Sequence, residues 1–508
     1  MEIAERCAYY GMSTNFITYL TGPLGESTAS AAASVNTWSG VSSMVPLLGG
    51  LLADSFVGRY RTIVIASVVY VLGLGMLTET AVSPYLRPLC GGNDDTEACH
   101  PTQFQSAIFF LAIYLVSFAQ GAHKPCVQAF GADQFDENDP EEFRSRSSFF
   151  NWWYFGMHSG LIFTFVFMNY VQQEISWGFG FGVSCASMAL GLALFLIGTP
   201  NYRHSILNNK GPVASLAQSS AKEVNEVSEA LLPEATSQSS SAEVSQCSSP
   251  VEYSNDKSHS QTAREVLRLF PIWASCLMYA VVFAQPATFF TKQGSTMDRR
   301  IGRTFNLPPA TLQSFVSLSV VIFVPIYDRI LVPIARAFTG IPSGLTMLQR
   351  IGVGMLISLA SMAVAALVEM KRLRTARDFG LIDLPNATIP MSLWWLVPQY
   401  VLSGISDSFT MVGLQEFFYD QVPDGLRSLG IALYLSIFGM GSFISSFIIS
   451  VIDRASRTSG NSWFSDNLNR GHLDYFYGFL AVLSAVALTI FLYLAQIYQY
   501  KSKVKDRI

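Results

Sequence analysis

Long apolar stretches separated by short polar connections dominate this chain. They fall near residues 3–22, 33–53, 62–83, 104–127, 147–170, 178–198, 264–290, 310–334, 346–369, 391–415, 427–452 and 474–498. A helix needs about 20 mostly apolar residues to cross the hydrocarbon core, and inside lipid only helices and closed barrels satisfy their own backbone. These stretches are too long for barrel strands. The pattern therefore predicts an all-α membrane protein of about twelve transmembrane helices. One segment breaks it. Residues 205–262 are rich in Ser, Glu, Gln and Ala, lack Trp and Phe, and cannot bury a core. The expected organisation is an N-terminal six-helix bundle over 1–200, a mostly disordered cytoplasmic linker over 201–262, and a C-terminal six-helix bundle over 263–508. A weak echo between Asp54 to Arg61 and Asp328 to Arg336 points to a duplication. Two such halves rocking about a central site is a common transporter plan.

Composition supports this picture. Charged residues make up 13% of the 508, against roughly a quarter in a soluble domain, and there are 37 Phe. A net charge of −4 gives no reason to expect nucleic acid as a partner. The seven cysteines show no CxxC metal spacing. Cys90 and Cys99 bracket a polar loop, where they are either a candidate disulfide or two free thiols. No cleavable signal peptide is expected before the first apolar stretch. Arg59, Arg61, Arg144, Arg146 and the basic tail from Lys501 share one side, assigned as cytoplasmic. The loop Lys371-Arg372-Leu373-Arg374 runs against that bias. Asn386-Ala-Thr388 is a candidate glycosylation sequon on the outer side.

Ionisable residues inside spans are costly and usually face a cavity or one another. Glu2, Glu5 and Arg6 open the first span and share one helical face. Such a set suits proton coupling, because a neighbouring guanidinium and a neighbouring carboxylate push a buried acid in opposite directions. The alternative is a solvated N-terminal end. Lys124 lies late in the fourth span, where an ammonium either finds a partner or snorkels to the interface. Asp407, midway along the tenth, has no charged neighbour in its span. In the loop after the second span, Gly58 permits a tight turn, and Asp54 beside Arg59 and Arg61 can latch helix ends, unless this is an ordinary positive loop. Prolines 46, 286, 325 and 398 are candidate kinks, and Gly-x-Gly pairs at 73/75, 352/354 and 439/441 suit close helix packing.

Together these motifs resemble the proton-dependent oligopeptide transporter family, in its plant nitrate/peptide branch, within the major facilitator superfamily. Glu2-Ile-Ala-Glu5-Arg6 is similar to the family's ExxER motif, followed by Ala8-Tyr9-Tyr10-Gly11 and Asn15-Phe16-Ile17-Thr18-Tyr19-Leu20. Asp54 to Arg61 resembles the superfamily's loop motif. His123-Lys124-Pro125-Cys126 through Phe135, and Phe149-Phe150-Asn151-Trp152-Trp153-Tyr154-Phe155, resemble signatures of the branch. The resemblance implies a major-facilitator fold with Glu2 and Glu5 in proton coupling. It also implies Arg6, Tyr10, Lys124, Phe283 and Asp407 around the substrate. Two positions depart from the pattern. Asp407 stands where peptide transporters carry Glu, and Phe283 stands where some nitrate transporters carry a histidine. Met1 directly precedes Glu2, so the first helix is expected to be shortened.

The expected function is proton-coupled symport of a small solute by alternating access, with protons as the coupling ion and no other cofactor or metal. Membrane lipid is the surrounding partner. The plasma membrane or a vacuolar membrane is the expected home, and sequence leaves the oligomeric state open. The alternative is a transport-inactive shortened isoform acting as a sensor or assembly partner. No Gly-x-Ser-x-Gly, phosphate loop or His-rich metal set supports an enzyme.

Overall fold

The computed structural model describes residues 1–52, 58–86, 101–132, 134, 160–202, 267–302, 305–340, 345–385, 387–422, 427–458 and 462–498. Twelve helical segments can be followed among them. The first half holds α1 (Glu2–Ser13, resumed as Phe16–Thr21), α2 (Thr28–Leu52), α3 (Arg59–Val82), α4 (Gln103–Ala132), α5 (160–170, ending in a π-turn at Val171–Ile175) and α6 (Trp177–Ile197). The second half holds α7 (Phe270–Ser275, Leu277–Phe283 and Phe289–Ser295) and α8 (Ser314–Ile326, a π-turn at Tyr327–Leu331, then Val332–Thr339). It continues with α9 (Met347–Asp378), α10 (Val397–Asp420), α11 (Arg427–Thr458) and α12 (Leu473–Ile497). Seven helical stretches among the described residues are long and apolar enough to cross a membrane. The expected linker lies outside the described residues from 203 to its end at 262.

The helix contacts repeat between halves. α3 packs on α4, α2 on α4 and α3 on α6; in the second half α9 packs on α10, α8 on α10 and α9 on α12. Glycines repeat with them. A Cβ on Gly121 of α4 would meet Val45 of α2 at 2.3 Å, and one on Gly404 of α10 would meet the Val316 carbonyl of α8 at 2.4 Å. Small residues let helices approach closely where lipid gives no hydrophobic drive for association. The Gly-x-Gly pairs act mostly this way: Gly73 faces Val116, Gly354 faces Thr410, Gly439 faces Met44 and Gly441 faces Ala280, whereas Gly75 faces open space.

Both first helices of the repeat are broken, and polar side chains fill the breaks. α1 breaks at Thr14 and Asn15, where Thr14 bonds Asn169 of α5 at 2.7 Å and Asn15 bonds Gln172 at 3.0 Å. The Gln172 amide also donates to the Gly11 carbonyl. α7 breaks between Phe283 and Phe289, around Pro286, whose carbonyl accepts from Thr291 at 2.9 Å. Irregular backbone at membrane depth is tolerated only where protein or a wet cavity satisfies it. Pro46 and Pro325 lie inside helices, while Pro398 sits in the first turn of α10, where its missing N–H has no helical partner to lose. The second echo segment, Asp328 to Arg336, is helical: α8 runs through it to a left-handed turn at Gly340.

Hydrogen bonds tie the halves along α2 and α11 and at the end opposite Arg59. Asn36 donates to Ser445 at 3.0 Å and Ser446 donates to the Ala33 carbonyl at 3.0 Å. The Thr28 N–H donates to Asp466 at 2.8 Å, Lys292 to Thr21 at 2.9 Å and Gln313 to the Thr14 carbonyl at 3.1 Å. Two short pairings cap the second half at this end: β1 (Met297–Asp298) with β4 (Ile389–Ser392), and β2 (Arg300–Ile301) with β3 (Phe305–Asn306).

Candidate functional site

In the first half, α1 carries Glu5 and Arg6 into the interior. Neither is a solvated end: the Glu5 side chain is fully buried and that of Arg6 is 5% exposed. Arg6 Nε stands 3.4 Å from Glu5 Oε2, and the Tyr70 hydroxyl of α3 donates to Glu5 Oε1 at 3.4 Å. Tyr70 is itself buried, with its ring edge-on to His123 of α4. Tyr10 packs edge-on to Tyr9 and to Phe165 of α5, and Tyr9 stacks on Trp38 of α2. Lys124 follows His123 on α4 and is partly buried. These side chains come from five helices, α1 to α5, so the site depends on the bundle and not on α1 alone.

In the second half, Asp407 lies on α10 and is nearly buried. The Tyr279 hydroxyl of α7 donates to it at 2.6 Å, a short hydrogen bond of the charge-assisted type. Phe283, one turn beyond Tyr279, is 38% exposed, and its ring lies 5.1 Å from Phe438 of α11. Tyr279, Phe283, Phe438 and Tyr434 thus form an aromatic shell beside one carboxylate. Arg6 and Lys124 belong to one half, and Asp407 belongs to the other.

Among the remaining predicted positions, Gly58 has φ of +84° and precedes α3, the turn conformation that glycine adopts without strain. Arg59 is partly buried and Arg61 is exposed. Asp54, Cys90, Cys99 and Asn386 lie outside the described residues, as does the side chain of Glu2.

Sequence reading missed a second buried carboxylate–guanidinium pair. Arg372, counted among the basic residues of an outer loop, is fully buried on α9 and binds Glu369 through two bonds of 2.7 and 2.6 Å. Its remaining donors reach Thr296, Asn469 and the Leu468 carbonyl, at 3.1, 3.0 and 2.8 Å. Gln293 of α7 also donates to Glu369, at 2.7 Å. The Glu-x-x-Arg spacing was a visible signal, because residues three apart share a helix face.

Two helical halves with ionisable groups buried between apolar spans define a polytopic membrane transporter rather than an enzyme. The chain belongs to the POT family, whose model matches residues 60–464. It is 56% identical to Protein NRT1/ PTR FAMILY 5.10 of Arabidopsis thaliana, over 99% of this chain and 92% of that protein. Protein NRT1/ PTR FAMILY 5.14 of the same organism is 50% identical over the same shares. Among solved structures, an auto inhibited POT family peptide transporter superimposes with a TM-score of 0.74 at 19% identity, covering 100% of this chain and 97% of that one. That likeness shows the fold.

Proposed function

We propose that the protein is a proton-coupled symporter that carries a small anionic or zwitterionic solute by alternating access. Nitrate, short peptides, hormones and other plant metabolites are the candidate substrates. The observation that carries this reading is the fully buried Glu5 carboxylate with the buried Arg6 guanidinium beside it, Nε 3.4 Å from Oε2. A carboxylate that takes up a proton loses both its charge and its hold on a neighbouring guanidinium. Arg6 is then released toward an anionic group on the solute. Lys124 supplies a second cation from the same half, and Asp407 supplies an anion from the other. Opposite charges on opposite bundles match the two ends of a zwitterion, so a bound solute favours closure of one half on the other. The peptide transporter with the same fold supports this reading, and the names of the Arabidopsis relatives keep nitrate in view.

The test is uptake by the full chain in proteoliposomes, screened over nitrate, dipeptides, plant hormones and glucosides with and without an imposed pH gradient. Accumulation that requires an acidic outside and disappears in Glu5→Gln is the expected result. Uptake that ignores the gradient and persists in that variant overturns the reading.

A further inference from the structure

His123 occupies the interior of the first half without a hydrogen-bond partner. It is fully buried on α4, and among the described residues neither ring nitrogen is bonded. Buried polar side-chain atoms are bonded in the large majority of cases, and each exception calls for a physical reason. Its surroundings supply one. The imidazole stands 6.5 Å from the Tyr70 ring, centroid to centroid, at 75°. Tyr70 is the residue whose hydroxyl donates to Glu5. The ionisable groups around it and its ring neighbour Tyr70 are Arg6, Glu5 and Tyr9 from α1, Tyr70 itself from α3, and Lys124 next to it in sequence on its own helix. α2, also packed on α4, carries no ionisable residue along Thr28–Leu52.

Tyr70 has one hydroxyl hydrogen to give. While Glu5 is a carboxylate, that hydrogen is well placed on Oε1. Once Glu5 is protonated it no longer needs the donor, and the hydroxyl is left to find another acceptor in a dry interior. A neutral imidazole presents one nitrogen donor and one nitrogen acceptor. We propose that His123 is a positioning residue for proton coupling: its free ring nitrogen takes over the Tyr70 hydroxyl when Glu5 is loaded, and so stabilises the proton-loaded state. One proton enters, on Glu5, and no other bond to hydrogen breaks; only a hydrogen bond changes partner. This inference rests on the proton-coupling reading and adds to it the group that sets how readily Glu5 loads.

Protons alone are the probe. In the purified full chain, infrared difference spectra against pH report the protonated carboxyl of Glu5, identified as the band lost in Glu5→Gln. His123→Phe keeps a ring but removes both nitrogens, and half-loading of that band should then need about tenfold more protons, the worth of one hydrogen bond. His123→Gln restores an acceptor oxygen and should return the midpoint toward that of the parent protein. Should the Phe variant fail to fold, His123→Met removes the nitrogens with a flexible side chain and is judged by the same shift. An unmoved midpoint in the nitrogen-free variant, or equal shifts in the Phe and Gln variants, overturns the role of His123 and leaves the coupling reading standing. A Glu5 band that never titrates in the parent protein sinks both.

Discussion

Among the described residues, Glu369–Arg372 and Glu5–Arg6 are both buried Glu–Arg pairs, and they are built differently. Glu369 and Arg372 meet edge to edge through two short bonds, and all five guanidinium donors are used. Their partners come from α7, α9 and the α11–α12 connection, so the pair stitches one half together. Glu5 and Arg6 are neighbours in sequence, with Arg6 Nε 3.4 Å from Glu5 Oε2, and the Tyr70 hydroxyl donates to Glu5 Oε1 at the same distance. A saturated pair is held by everything around it and has no reason to open. A contact at 3.4 Å is weaker, and easier to exchange, than one at 2.6 Å. Burial alone therefore does not mark a working group; under the proposed function, the tight pair is scaffold and the longer one is the switch.

The comparison can be broken most severely at Arg372. Arg372→Met leaves a buried carboxylate without its cation, and removing one partner of a buried pair costs about 3–5 kcal/mol. A large fall in the thermal midpoint and in membrane yield of the purified protein should follow. Retained stability would show that the pair is not the staple described here. The double variant Glu369→Leu with Arg372→Met should regain much of that loss, since apolar replacement of a whole buried pair is often neutral. Thermal melts of the single and double variants side by side check this.

Glu5→Gln should cost the fold far less, about 1 kcal/mol, because a neutral side chain at position 5 resembles the protonated state of the proposed cycle. Uptake driven by a pH gradient should nevertheless disappear, so melting and transport measured on one preparation separate the two roles. Tyr70→Phe should be milder still. A 3.4 Å hydrogen bond sits at the weak end of the range, and its loss should cost under about 1 kcal/mol. The variant should transport with an altered dependence on external pH; an unchanged pH profile would remove Tyr70 from the coupling set.

Several features could be seen along the sequence because they are local. Hydropathy is a property of neighbouring residues, and it located the helices, although α9 runs on to Asp378, past its expected end at 369. Pro286 and Gly58 announced a helix break and a positive-φ turn, since each restricts or frees its own backbone. The unusual placement of Glu5, Arg6, Lys124 and Asp407 was equally visible, because any charge in an apolar run stands out. Pro398 was less informative: the same residue type kinks a helix interior and starts a helix, and only the boundary tells which.

Other features could not be read this way. Tyr70, Tyr279 and His123 look like ordinary residues of amphipathic or apolar helices, and their meaning comes from partners on other helices. Tyr279 meets Asp407 from 128 residues away, and Tyr70 meets Glu5 from 65. Arg372 was misassigned in part for the same reason, since Leu468 and Asn469, which accept its remaining hydrogen bonds, lie about a hundred residues further on.

By itself the sequence determined that this chain is a membrane protein in two halves, with a few ionisable residues placed where lipid would reject them. The tertiary structure alone decided which side chains from other helices meet those charges, and at what distance. The reason is physical: insertion into lipid depends on the polarity of consecutive residues, whereas the state of a buried charge depends on the atoms within a few ångströms, which the chain brings together only on folding.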